Sequence, residues 1–249
     1  MWMLRFSLLL LLAPVALAEP LPAFHADPSA WTATDIVVVT EGEAIDGHVT
    51  VLETWKGDLR RGDELTIDAL AEFAPPEARV IEKAWYQSHQ PIETETIEPE
   101  RVTNARMVLF LVRAGDTWKP AATWMKISMA WVENGNVFAL EQPTVPGPLM
   151  RIFTGLDERG LRQKVEFVLS VQNELADVIR SNDHHRVISA VRRMFRDDDT
   201  VYIRHDVIAA LGNCGLYCIP ALGTLLGDES LELYRRDVQL ALRKANGER

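Results

Sequence analysis

The chain has 249 residues, 26 of them Lys or Arg and 36 Asp or Glu, so its formal net charge is −10 near neutral pH. With 47% apolar residues it can bury a core, which excludes general disorder, and its length allows one or two domains. No basic run exceeds Arg60-Arg61 or Arg192-Arg193, which argues against nucleic acid and anionic lipid as partners, since both require clustered cations.

The first segment, 1–18, has the pattern of an export signal. Arg5 precedes the apolar run Phe6 to Leu12, Pro14 interrupts it, and Ala16-Leu17-Ala18 presents the small residues at which a signal peptidase cuts. The apolar run is too short to cross a bilayer core of about 30 Å comfortably. Cleavage after Ala18, a periplasmic or secreted location and no integral membrane segment after cleavage are therefore expected. No cysteine stands at the cut, so a lipid anchor there is not expected.

Residues 33–142 read as a β-rich domain. Ile36 to Val39 is a β-branched run, and His48 to Trp55 follows as a second strand-like tract. Lys56 to Asp63 carries turn chemistry, and Leu65 and Ile67 then alternate with polar residues. Met107 to Val112 is continuously apolar, as in a strand buried on both faces. Ile127, Met129 and Trp131 alternate with Lys126, Ser128 and Ala130, and Glu133-Asn134-Gly135-Asn136 is a hairpin turn leading to Val137–Leu140. Between these strands, 71–106 is a long insert with an expected short helix over Ala78–Gln87 and an acidic stretch from Glu93 to Glu100. The prolines Pro143, Pro146 and Pro148 end the domain in a linker, 143–156.

The last third, 157–249, reads as helical. Leu161, Val165, Val168, Leu175 and Ile179 lie on one face of a helix from Leu161 to about Arg180, and Ser181-Asn182-Asp183 supplies caps for the next. Beyond it the chain repeats at an offset of 31: apolar positions coincide at 188/219, 191/222, 194/225, 195/226, 207/238 and 211/242. Each copy, about 186–216 and 217–247, holds two helices broken near Arg196–Thr200 or Gly227–Leu231, and Gly212 and Gly215 are read as ending the second helix of the first copy.

The Ala210-Leu211-Gly212-Asn213-Cys214-Gly215 turn, the Arg after each loop and the paired Ala-Leu positions resemble the HEAT-like repeat family, including the short form named after the phycobilisome lyases. The resemblance spans about 186–247 and implies an α-solenoid that binds proteins, with no lyase activity. The loops from Asp197 to Arg204 and Asp228 to Arg235 are about one residue longer than the family's usual form, which leaves its Asp–Arg ladder open. In the front domain, Val49-x-Val51-Leu52-Glu53-x-Trp55-Lys56-Gly57 resembles a segment of bacterial exported domains that look like the OB-type barrel of netrin and metalloproteinase-inhibitor modules. Those modules need an N-terminal cysteine and several disulfides, so protease inhibition is not implied here. The expected fold class is α+β: a small antiparallel β-barrel or sandwich followed by a short C-terminal α-solenoid.

No hydrolase elbow, phosphate loop, zincin motif or calcium loop occurs, so no catalytic residue, cofactor or metal is expected. Cys214 and Cys218 flank a glycine turn and could pair as a disulfide or remain small buried thiols. His184 and His185 are adjacent on a helix and diverge by about 100°, too far apart to share a metal. Trp85, Tyr86 and Trp118 are candidate ligand contacts, and Glu53, His48 and His89 would be the titratable groups of a hydrolase site in the β-domain. An exported, non-enzymatic interaction or scaffold protein with an unknown protein partner is the leading expectation; a hydrolase or small-ligand module is the alternative.

Overall fold

The computed structural model describes residues 25–40, 47–67, 79–81, 106–121, 128–141 and 150–248. The export signal, most of the insert and the proline cluster lie outside the described residues, and with them Trp85, Tyr86 and His89. Among the described residues no helix is long and apolar enough to cross a membrane.

The fold is α+β, an antiparallel sheet followed by helices. Helix α1 (Ala26–Thr32) leads into β1 (Asp35–Thr40), β2 (His48–Thr50), β3 (Glu53–Lys56), β4 (Glu64–Thr66) and β5 (Arg79–Ile81). Then come β6 (Arg106–Ala114), β7 (Thr117–Pro120), β8 (Met129–Glu133), β9 (Asn136–Glu141) and β10 (Met150–Asp157). The large sheet runs β3-β1-β6-β8-β9-β10-β5, with β7 on β6, and β2 pairs separately with β4. Ile67 bridges to Trp118 in β7, and the Leu52 N–H donates to Val38 O at 2.8 Å, so β4 touches β7 and the β2–β3 stretch touches β1.

Two expectations are corrected here. Arg79–Ile81, placed within a short helix, is a strand hydrogen-bonded in parallel to Met150–Ile152. The stretch 150–156, assigned to the linker, belongs to β10 and pairs with β9. In both cases strand partners distant in sequence decide the conformation, and local composition does not register them. The hairpin turn falls where expected: Glu133 pairs with Asn136, and Asn134 (φ 50°) and Gly135 (φ 79°) form a two-residue loop with both φ positive.

The sheet is covered on both faces. Ile36, Val38, Val108, Phe110, Ala130 and Val132 pack toward the helices, whereas Val37, Val39, Met107, Leu109, Leu111 and Trp131 form a second core with Val49, Val51, Leu65 and Ile67. Side chains alternate across a strand, so a strand covered twice needs an unbroken apolar run, as in β1 and β6. In and just before β8, Ser128 and Ala130, which alternate with Met129 and Trp131, are buried as those two are.

The helical part consists of α2 (Glu158–Arg180), α3 (His184–Arg196), α4 (Arg204–Asn213), α5 (Ile219–Leu226) and α6 (Arg235–Ala245). Asp157 caps α2 by accepting from the Gly160 N–H, and Asp183 caps α3 by accepting from the His185 and Arg186 N–H groups. Leu161, Val165, Val168, Val171, Leu175 and Val178 form the buried stripe of α2. This helix contacts β9 and β10 as well as α1 and α3, so one core runs from the sheet to Val238 and Ala241 in α6.

The offset of 31 survives element by element: 3₁₀ turns Asp198–Ile203 and Glu229–Tyr234 precede α4 and α6. Asp197 and Asp228 cap them identically, each accepting from the N–H two residues on, at 3.0 Å. Helix α4 ends at Asn213, with Gly212 in its last turn and Gly215 (φ 66°) just beyond the cap, as expected; Gly212 also lies where α4 crosses α6, and a Cβ there would lie 2.8 Å from the Ala241 Cα. Gly212→Ala should therefore destabilise the fold by about 1–3 kcal/mol through overpacking, against the gain of up to about 1 kcal/mol expected of Ala in an unobstructed helix. Thermal unfolding of the two proteins decides the sign.

Candidate functional site

The Glu53-Thr54-Trp55-Lys56-Gly57 segment is the joint between sheet and helices. Arg106 bridges Glu53 (3.1 Å) and Glu158 (2.7 Å), and Arg162 reaches Glu53 from α2. The Arg162 guanidinium also lies 5.7 Å from the Trp55 ring centroid. The Lys56 ammonium donates to Ala30 O at 2.8 Å and to Gln172 Oε1 at 3.0 Å. Gly57 (φ 96°) passes so close to Asp35 that a Cβ would fall 2.2 Å from Oδ1, which leaves no room for another residue. The segment that carried the barrel resemblance thus binds the two halves together. Glu53 pairs with both Arg106 and Arg162.

The remaining candidates do not converge on it. His48 is exposed on β2 with Nδ1 3.3 Å from Thr66 Oγ1. Trp118 packs partly buried against the second core, donates from Nε1 to Asp35 Oδ2 at 3.3 Å, and lies under Arg113. Both its ring and its N–H are occupied, so it braces β7 and offers little to a ligand. Asp35 also accepts from Thr34 Oγ1, at 2.8 Å. Among the described residues no group of His, Cys, Asp and Glu is arranged to hold a metal ion.

Cys214 and Cys218 are both free thiols. The Cys214 Sγ donates to Ala210 O at 3.1 Å, and Cys218 is buried. Burial, reinforced by the neighbouring Cys214, pushes the Cys218 thiol up to about 12.

Compared with known proteins, the chain matches no described family, no curated protein and no solved structure. What distinguishes a site must come from the surface itself. Among the described residues the large apolar side chains that stay exposed are Val201, Tyr202, Leu216, Tyr217, Leu233 and Leu240, all within the repeats. Leu233, the most exposed at 90%, aligns with Tyr202 of the first copy, which is stacked by His25 at 3.7 Å. Sequence periodicity could not find these residues, because the turn positions, and Leu240 on the outer side of α6, fall outside the apolar stripe.

The same edge carries paired charges. His205 Nδ1 lies 3.1 Å from Asp237 Oδ2 across the two copies, whereas Asp206, the residue aligned with Asp237, is half-buried. Burial pushes the Asp206 carboxyl up to about 6, with His205 pulling the other way. Because its folded value exceeds the ordinary one, the carboxyl favours folding while protonated, and that contribution disappears as pH rises through about 6. Asp206→Asn should therefore be more stable than the parent by about 1 kcal/mol at pH 7, the partial solvent exposure damping the effect, and the gap should close at pH 4. Melting curves of both proteins at the two pH values test this.

Proposed function

We propose that this is an exported, non-enzymatic interaction or scaffold protein that engages a protein partner through its C-terminal repeats. The observation that carries the reading is that, among the described residues, the exposed large apolar side chains all fall within 201–240. On a protein of net charge −10, a surface that leaves Leu216, Tyr217 and Leu233 in water costs solubility unless something covers it. Tyrosine at a turn tip can enter a partner's pocket with little loss of side-chain freedom.

The architecture supports the same reading. Two helix pairs kept at an offset of 31, with capped turns at equivalent places, support a short HEAT-like α-solenoid. The circuit of contacts from β1 through β2–β3, β4, β7 and β6 back to β1 supports an OB-like barrel around the second core. In this reading the barrel and α2 hold the repeats rigid, and the turn edges meet the partner. Export rests on the signal pattern of residues 1–18.

The test is crosslinking and recovery from the native exported compartment, with the parent chain and with the triple variant Leu216→Ser, Tyr217→Ser, Leu233→Ser. Exposed positions should leave the melting temperature within about 2 °C. Loss of the crosslinked partner with unchanged melting is the expected result. Recovery of the same partner at the parent's yield would sink the proposal.

A further inference from the structure

The geometry points to a second binding site, for a carboxylate-rich peptide segment, in the groove between α2 and α3. Helix α3 carries four arginines and two histidines but no carboxylate, on a chain whose net charge is −10. Val187, Ile188, Val191 and Met194 are buried, which leaves His185, Arg186, Ser189 and Arg193 along the outer side. These face Glu174 and Asp177 of α2 across a groove of 640 Å³. That volume falls within the range of about 300–1,000 Å³ typical of ligand clefts.

Charge accounting decides the kind of ligand. The two carboxylates in the groove are already matched: Glu174 pairs with Arg193, and Asp177 accepts from Arg180 at 2.7 Å. The Arg186 guanidinium has no carboxylate or carbonyl partner among the described residues, and neither does the Ser189 hydroxyl. The His185 ring meets that of His184 at 4.8 Å. The uncommitted groups are therefore a guanidinium fork, an imidazole and a hydroxyl, all able to donate, above a floor formed by Val178 and Ala190. A guanidinium fork matches a carboxylate in two parallel hydrogen bonds, and the apolar floor suits the methylenes of a glutamate side chain. A guanidinium fork is matched by one planar carboxylate at a time, whereas polyphosphate chains and anionic bilayers are held by clusters of cations.

The site is independent of the proposed partner surface, since Leu216, Tyr217 and Leu233 do not line the groove. The experiment uses the full chain and fluorescein-labelled hexaglutamate, with hexaglutamine, hexalysine and phosphatidylglycerol vesicles as the other arms. Saturable anisotropy change with hexaglutamate, and none with hexaglutamine, is the expected result. Arg186→Glu should weaken it at least about tenfold. Ser189→Trp, which fills the groove and leaves its charges unchanged, should weaken it comparably, whereas Leu233→Ser should not. Circular dichroism and melting of each variant establish that it is folded. Hexaglutamate binding that is absent, no stronger than hexaglutamine binding, or unchanged in both groove variants overturns the assignment. So does binding to the vesicles alone.

Discussion

Lys56 leaves the sheet at the end of β3 and buries its ammonium against the last carbonyls of α1 and the side-chain amide of Gln172 on α2. Gln172 completes the arrangement by donating to Trp31 O at 2.7 Å. A cation at a helix C-terminus satisfies carbonyls that have no partner within the helix and opposes the negative end of its dipole. The cost is desolvation, which pulls the ammonium down to about 8, with Asp35 acting against it. Three elements far apart in the chain are fixed by one side chain, and the orientation of α2 on the sheet follows.

Helix α2 then does what neither half could do alone. Its apolar stripe touches the sheet, α1 and α3, so the repeats pack onto a rigid base and do not trail from a linker. Two helix pairs bury little apolar surface by themselves, and the stacking neighbour they need is supplied by α2. The ion pairs among Glu53, Arg106, Glu158 and Arg162 set the register of that contact at the solvent edge. Partly exposed pairs of this kind contribute modest stability but discriminate between alternative dockings.

The repeats use their positions unequally. Equivalent turns are capped alike by Asp197 and Asp228, and Arg192 holds Asp228 at 2.6 Å so that the first copy grips the second. Close crossing of α4 and α6 at Gly212 brings the two copies together. In the first copy the turn touches α1, and Tyr202, stacked with His25, is 46% exposed; in the second, Leu233 is 90% exposed. The interaction surface proposed for this protein arises from that asymmetry, not from the repeated residues themselves.

Much of the architecture was legible in the sequence because it follows from local periodicity. The 31-residue offset, the stripe of α2, the doubly buried β1 and β6 and the Asn134-Gly135 turn each depend on residues near one another in the chain. Strand Arg79–Ile81, strand Met150–Asp157 and the burial of Ser128 and Ala130 were not legible, since each depends on a partner contributed from elsewhere. The same holds for function. That Trp118 meets Asp35 and Arg113, and that Glu53 pairs with Arg106 and Arg162, is visible only once the chain is folded. The sequence by itself determined that a β-rich part precedes a repeated helical part on an acidic chain. Only the tertiary structure decided which polar groups are spent and which remain free, because pairing over long sequence separations is a property of packing and not of pattern.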